Sequence, residues 1–130
     1  MAARPMPTGF GAFNWQQLNT TDLAAAEAFY TKLLGWETRR ATAEGMVTWG
    51  PFSVAKNAGQ EIATLMQMPA DAESQSHWLS YVWVENIEAS FAKMQALGGK
   101  AFMPPRVIPE GSFAVIDDGS GGFVSIFKGA

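Results

Sequence analysis

Residues 12–36 read AFNWQQLNTTDLAAAEAFYTKLLGW. Ala12–Asn19 alternates, placing Phe13, Trp15 and Gln17 on one face and Asn14, Gln16 and Leu18 on the other, which predicts a strand. Thr20, Thr21 and Asp22 offer capping oxygens, and Asp22 is the best placed. Leu23, Ala26, Phe29, Tyr30, Leu33 and Leu34 then recur at helical spacing. Gly35 stands where a helix gives way to a left-handed residue.

Residues 78–99, WLSYVWVENIEASFAKMQALGG, repeat that order. Trp78–Val84 predicts a strand, Asn86 a cap, and Ile87–Leu97 a helix with Ile87, Phe91, Met94 and Leu97 on one face. An offset of 63 puts Trp15 on Trp78, Asp22 on Glu85, Leu34 on Leu97 and Gly35 on Gly98. A single strand–helix module cannot easily bury both its helix stripe and its sheet face, so two copies are expected.

Further strands are expected at Trp36–Arg40, Met46–Trp49 and Glu61–Gln67, with turns at Gly45 and Asn57-Ala58-Gly59. In the second copy, Ala101–Met103 is a short strand broken by Pro104-Pro105. Ser112–Ile116 and Gly122–Phe127 form a hairpin around Asp117–Gly121, DDGSG. Residues 1–11 read as an arm and 12–130 as one domain, with modules of about 12–68 and 78–128 and a polar linker at Pro69–His77.

The chain has 130 residues, enough for one domain with a sizeable core. It has no cysteine, so disulfides and thiolate metal sites are excluded, and a cytoplasmic location is expected. Its net charge is −3 and its nine Lys and Arg residues are scattered, so no nucleic-acid partner is expected. The N-terminus lacks an apolar signal region, and no stretch approaches a membrane span. Five Trp and nine Phe residues point to a dense core or an apolar pocket.

The order and spacing of Asp22-Leu23, Ala26, Phe29-Tyr30, Leu34-Gly35-Trp36, Val84–Ala89, Leu97-Gly98-Gly99, Phe113-Ala114-Val115 and Asp118–Phe127 resemble the vicinal oxygen chelate superfamily. That superfamily includes glyoxalase I, extradiol dioxygenases and bleomycin-resistance proteins. The resemblance implies an α+β fold of two βαβββ modules whose mixed sheet curls into a cup holding the site. It also implies a homodimer.

Members that use a metal hold a divalent ion with His and Glu from the cup-facing strands, where it acts as a Lewis acid. By position, those ligands fall here on Trp15, on Leu79, on Ser125 and near Thr64 or Met66. Trp and Leu cannot ligate a metal and Ser does so poorly, so no metal or other cofactor is expected. The one histidine, His77, reads as a partly exposed loop residue. Gly119–Gly122 lacks the Lys-Ser/Thr of a phosphate loop and reads as a hairpin turn.

Given that fold, alternation supplies a ligand-facing set: Trp15, Gln17, Trp49, Met66, Leu79, Tyr81, Trp83, Phe113 and Ser125. The set is aromatic and apolar with a few neutral hydrogen-bonding tips. For Trp15, Tyr81 and Trp83, core packing and pocket lining both remain open. The leading expectation is a metal-independent protein that binds a small aromatic or apolar ligand. The alternative is a lyase, isomerase or dioxygenase-like enzyme with a metal-free site based on Tyr81, Glu85 or Glu61, or with unorthodox metal ligands such as His77 and Glu61. The third reading is a protein-interaction role.

Overall fold

The computed structural model describes residues 9–41 and 51–130. The expected strand Met46–Trp49, and with it Trp49, lies outside the described residues, as does most of the expected arm. Eight strands and two helices are described, in an α+β arrangement. The described residues form two compact units: those of Trp15–Leu79, and Ser80–Ala130 with residues 9–14. Among the described residues, no helix is long and apolar enough to cross a membrane.

The first unit contains most of β1 (Phe13–Thr20), α1 (Leu23–Leu34), β2 (Glu37–Ala41), β3 (Phe52–Asn57), β4 (Gln60–Gln67) and the start of β5 (His77–Trp83). Its strand order is β2-β3-β4-β1, with β1 parallel to β4 and the other pairs antiparallel. Asp22 caps α1, its Oδ1 accepting from the Ala25 N–H at 3.0 Å. Gly35, at φ 74°, ends the helix and donates its N–H to the Thr31 carbonyl.

One sheet face carries Leu18 and Leu65, which pack with Leu23 of α1 and are flanked by Ala26, Tyr30 and Trp36. The stripe expected on α1 is wider than this contact, since Phe29, Leu33 and Leu34 stay exposed. The other face holds a separate cluster of Phe52, Val54 and Met66. β3 lies where no strand was expected. Phe52 to Ala55 are buried without interruption, so Ser53 and Ala55 hide the usual apolar alternation.

The second unit contains the rest of β5, α2 (Ile87–Ala96), β6 (Lys100–Ile108), β7 (Gly111–Asp117) and β8 (Phe123–Gly129). Its order is β6-β7-β8-β5, with β5 parallel to β8, which matches the first unit strand for strand. Asn86 caps α2 through the Ala89 N–H, also at 3.0 Å. Ile87 and Met94 pack with Ala114, Ile116 and Ile126 to form the core.

The repeat is real, but its register needs correction. The two caps, Asp22 and Asn86, are 64 residues apart, while the left-handed glycines Gly35 and Gly98 are 63 apart. The span from cap to left-handed glycine is therefore one residue shorter in the second unit, and α2 is two residues shorter than α1. At the first strand the offset is 64, so Trp15 matches Leu79 rather than Trp78.

β6 also differs from expectation. Proline was expected to end the strand at Met103, yet β6 runs through Pro104-Pro105 to Ile108. It is the edge of its unit's order, where a missing N–H on the outer side costs no ladder bond. The register slips by one residue twice, between Ala101 and Met103 and again between Met103 and Arg106, so that Met103 faces Val115 and Arg106 faces Phe113.

Candidate functional site

The first unit's sheet face opposite α1 carries Trp15, Gln17 and Asn19 from β1, because alternate residues of a strand share a face. β4 presents Thr64 beside Gln17 and Met66 beside Asn19. The Trp15 indole N–H donates to Thr64 Oγ1 at 3.0 Å. Met66 belongs to the buried cluster with Phe52 and Val54, and Leu79 is buried as well.

A polar chain runs along this face. Gln17 Nε2 donates to Asn19 Oδ1 at 2.8 Å, and Asn19 Nδ2 lies 3.3 Å from His77 Nε2. His77 Nδ1 lies 2.7 Å from the Gln75 carbonyl. That carbonyl can only accept, so Nδ1 carries the proton and Nε2 accepts from Asn19. His77 is thus the first residue of a strand, with both ring nitrogens engaged, rather than a loop residue. Asn19 is 1% exposed and was missed. The i, i+2, i+4 alternation from Trp15 was the signal for it, but the expected strand stopped at Asn19 itself.

Trp78 points the other way. Its ring packs edge-on against Tyr30 and Trp36, and its indole N–H donates to the Tyr30 hydroxyl at 3.3 Å. It belongs to the helix side, so the sequence match between Trp15 and Trp78 is accidental.

In the second unit, the face opposite α2 is read from the registers. Tyr81 pairs with Ser125 and Ser125 with Val115; Trp83 pairs with Phe127 and Phe127 with Phe113. Cross-strand partners share a face, so Tyr81, Trp83, Phe113 and Ser125 lie together as expected. The Tyr81 ring centroid is 6.4 Å from those of Phe113 and Phe127.

Ser125 is fully buried, and its Oγ donates to the Ala114 carbonyl at 3.1 Å. Ser125 also stands opposite Tyr81 across the β5–β8 pair and bonds to its hydroxyl. Burial pushes the Tyr81 phenol up to about 12, against a smaller opposing effect of the Ser125 bond. Tyr81 is therefore a neutral hydrogen-bonding group at ordinary pH.

The expected ligand positions do not fit a divalent metal. Trp15 and Thr64 are bonded to each other, Leu79 has no donor atom, and the Ser125 hydroxyl serves a backbone carbonyl. Glu61 pairs with Arg39 at 3.1 Å. Among the described residues, no three His, Asp or Glu side chains come together.

The sequence model of the Glyoxalase/Bleomycin resistance protein/Dioxygenase superfamily matches residues 12–125. The chain belongs to this superfamily. The protein named "Putative glyoxylase CFP32" from Mycobacterium tuberculosis is 32% identical over 121 residues, a match covering 91% of this chain and 46% of that protein. The anthracycline biosynthesis protein DnrV of Streptomyces peucetius is 27% identical over 129 residues, covering 91% and 47%. The chain thus spans about half the length of these curated relatives.

Among solved structures, methylmalonyl-CoA epimerase from Mycobacterium tuberculosis superposes with a TM-score of 0.64 at 15% identity, covering 100% of this chain and 93% of that one. A hypothetical protein from Bacillus halodurans, BH1468, gives 0.67 at 12% identity, covering 91% and 94%. At such identities the likeness establishes the glyoxalase/bleomycin resistance fold alone.

Proposed function

We propose that this superfamily member binds a small, flat, largely apolar molecule, and does so without a metal. The observation that carries the reading is the aromatic face of the second unit. Trp83 and Phe123 remain 40% and 52% exposed there, beside a Tyr81 that burial keeps neutral. Open aromatic surface around one fixed polar group suits a stacked ligand. The metal-free part rests on donor chemistry: the positions that carry His and Glu in metal-using members hold Trp15, Leu79, Ser125 and, nearby, Thr64 or Met66. On the first unit's own face, Trp15, Gln17, Met66 and Leu79 are kept as separate ligand-facing candidates, and Trp49 stays with them from the sequence.

The test is a panel of neutral, anionic and cationic aromatic compounds followed by intrinsic Trp fluorescence and thermal shift. Binding by some of them is expected, weakened by replacing Trp83 with Ala. If none quenches Trp fluorescence or raises the melting temperature, the reading is lost. A stoichiometric divalent ion in protein purified without added metal would overturn the metal-free part.

A second reading is an enzyme of the lyase or isomerase kind. It is favoured by the glyoxylase name of the relative at 32% identity and by the epimerases among the structural neighbours. Epimerisation of methylmalonyl-CoA by purified protein would support it. In both readings the protein acts as a homodimer, whose contact would cover exposed side chains such as Phe29, Leu33, Phe102 and Val107. Light scattering behind size-exclusion chromatography reads its mass directly.

A further inference from the structure

The second register slip in β6, between Met103 and Arg106, sets a charge beside the aromatic face. Without the slip, Pro105 would follow Met103 onto that face by simple alternation. With it, Arg106 pairs with Phe113 and takes its place. Phe113 pairs with Phe127, and Phe127 with Trp83. One row across four strands therefore reads Arg106, Phe113, Phe127, Trp83, with all four side chains on the face opposite α2. Neighbouring strands lie about 4.8 Å apart, so Arg106 stands next to Phe113, with Phe127 about 10 Å and Trp83 about 14 Å along the row.

Arg106 has no carboxylate partner among the described residues. Arg39 pairs with Glu61 and Arg40 with Glu27, and these are the ion pairs found there. Glu110, in the turn between β6 and β7, forms no ion pair with Arg106. Asp117 shares the face through its pairing with Phe123, but it stands two rows away. Its Oδ1 already accepts from the N–H groups of Gly119 and Gly121. A planar guanidinium fork with no ion pair among the described residues, at the end of an aromatic row, matches a planar anion on a flat ring system.

We propose that Arg106 is the specificity-determining residue of this face and selects aromatic ligands that carry a carboxylate. The proposal rests on the binding reading above and adds the ligand's charge to it. Arg106 is exposed on an edge strand, so its replacement leaves the core untouched.

The experiment is calorimetric titration at neutral pH with three probes of like shape: 2-naphthoate, 2-naphthamide and 2-naphthylmethylammonium. The wild-type protein, Arg106→Met and Arg106→Lys are compared, with thermal melting to verify folding. The expected result is a preference of about tenfold for naphthoate over naphthamide in the wild type, as a charge-assisted bond exceeds a neutral one. In Arg106→Met the two should bind about equally, with naphthamide affinity unchanged, and Arg106→Lys should keep part of the preference.

A preference that survives in Arg106→Met overturns the proposal while leaving the binding face in place. So does a wild type that favours naphthamide or the ammonium. If none of the three probes binds, the binding reading itself fails, and this proposal with it.

Discussion

Trp15 donates its indole N–H to the Thr64 hydroxyl, 3.0 Å away, across the parallel pair β1 and β4. The family resemblance puts both at or near expected ligand positions, and here the two side chains bond to each other. Replacing Thr64 with Val keeps the shape but leaves the half-buried indole N–H without its acceptor. A loss of about 1–2 kcal/mol in urea unfolding is expected, with a shift in Trp emission. An unchanged midpoint would mean that the bond contributes nothing.

Tyr81 makes stability depend on alkaline pH. Its folded pKa, near 12, lies above the ordinary value of 10.0, so folding favours the protonated phenol. The contribution is fully present below pH 10 and is lost as pH rises toward 12. The lost stability is on the order of 2–3 kcal/mol for a shift of this size. Absorbance titration of the phenolates should show a step near pH 12 that vanishes in Tyr81→Phe, and the steep alkaline limb should flatten in the same variant.

Glu27 and Arg40 act at the acid end. Arg40 Nε and Nη2 donate to the two Glu27 carboxylate oxygens at 2.8 and 2.7 Å, joining α1 to β2. The Arg40 guanidinium, mainly through these bonds, holds the Glu27 carboxyl below its ordinary 4.5. Because the folded pKa is lowered, the contribution exists above pH 4.5 and disappears as pH falls below it. Melting curves of wild type and Glu27→Gln should therefore differ at pH 7 and converge at pH 3.

The matched caps give a paired test. Asp22→Ala and Asn86→Ala each remove a side-chain acceptor from the third N–H of a helix, and each should cost about 1 kcal/mol in denaturant unfolding. If Glu85 rather than Asn86 were the structural counterpart of Asp22, Glu85→Ala would show the loss instead.

His77 is the chain's one histidine, so its ring nitrogens can be read without ambiguity by ¹⁵N NMR. The neutral ring should carry its proton on Nδ1, against the Gln75 carbonyl. An Nε2–H form would require the Asn19 amide to present its oxygen instead. Asn19→Ala should release the tautomer preference and destabilise the protein by about 1–3 kcal/mol, because Gln17 and His77 both lose a buried partner.

The sequence by itself determined the element order, both caps, the terminating glycines and the alternation that groups Tyr81, Trp83, Phe113 and Ser125. These features are local: a cap acts over three residues, a left-handed glycine over four, and alternation over two. Tertiary structure alone decided the rest. It moved the repeat to an offset of 64 at the first strand, which separates Trp15 from its apparent twin Trp78. It made a strand of Phe52–Asn57, whose burial on both faces erases the alternating pattern. It tied His77 to Asn19, 58 residues away. It also carried β6 through two prolines and turned Arg106 toward the aromatic row. The physical reason is that strand register and burial depend on which neighbour supplies the hydrogen bonds and which surface is covered. Those partners are distant in the chain, so no local pattern records them.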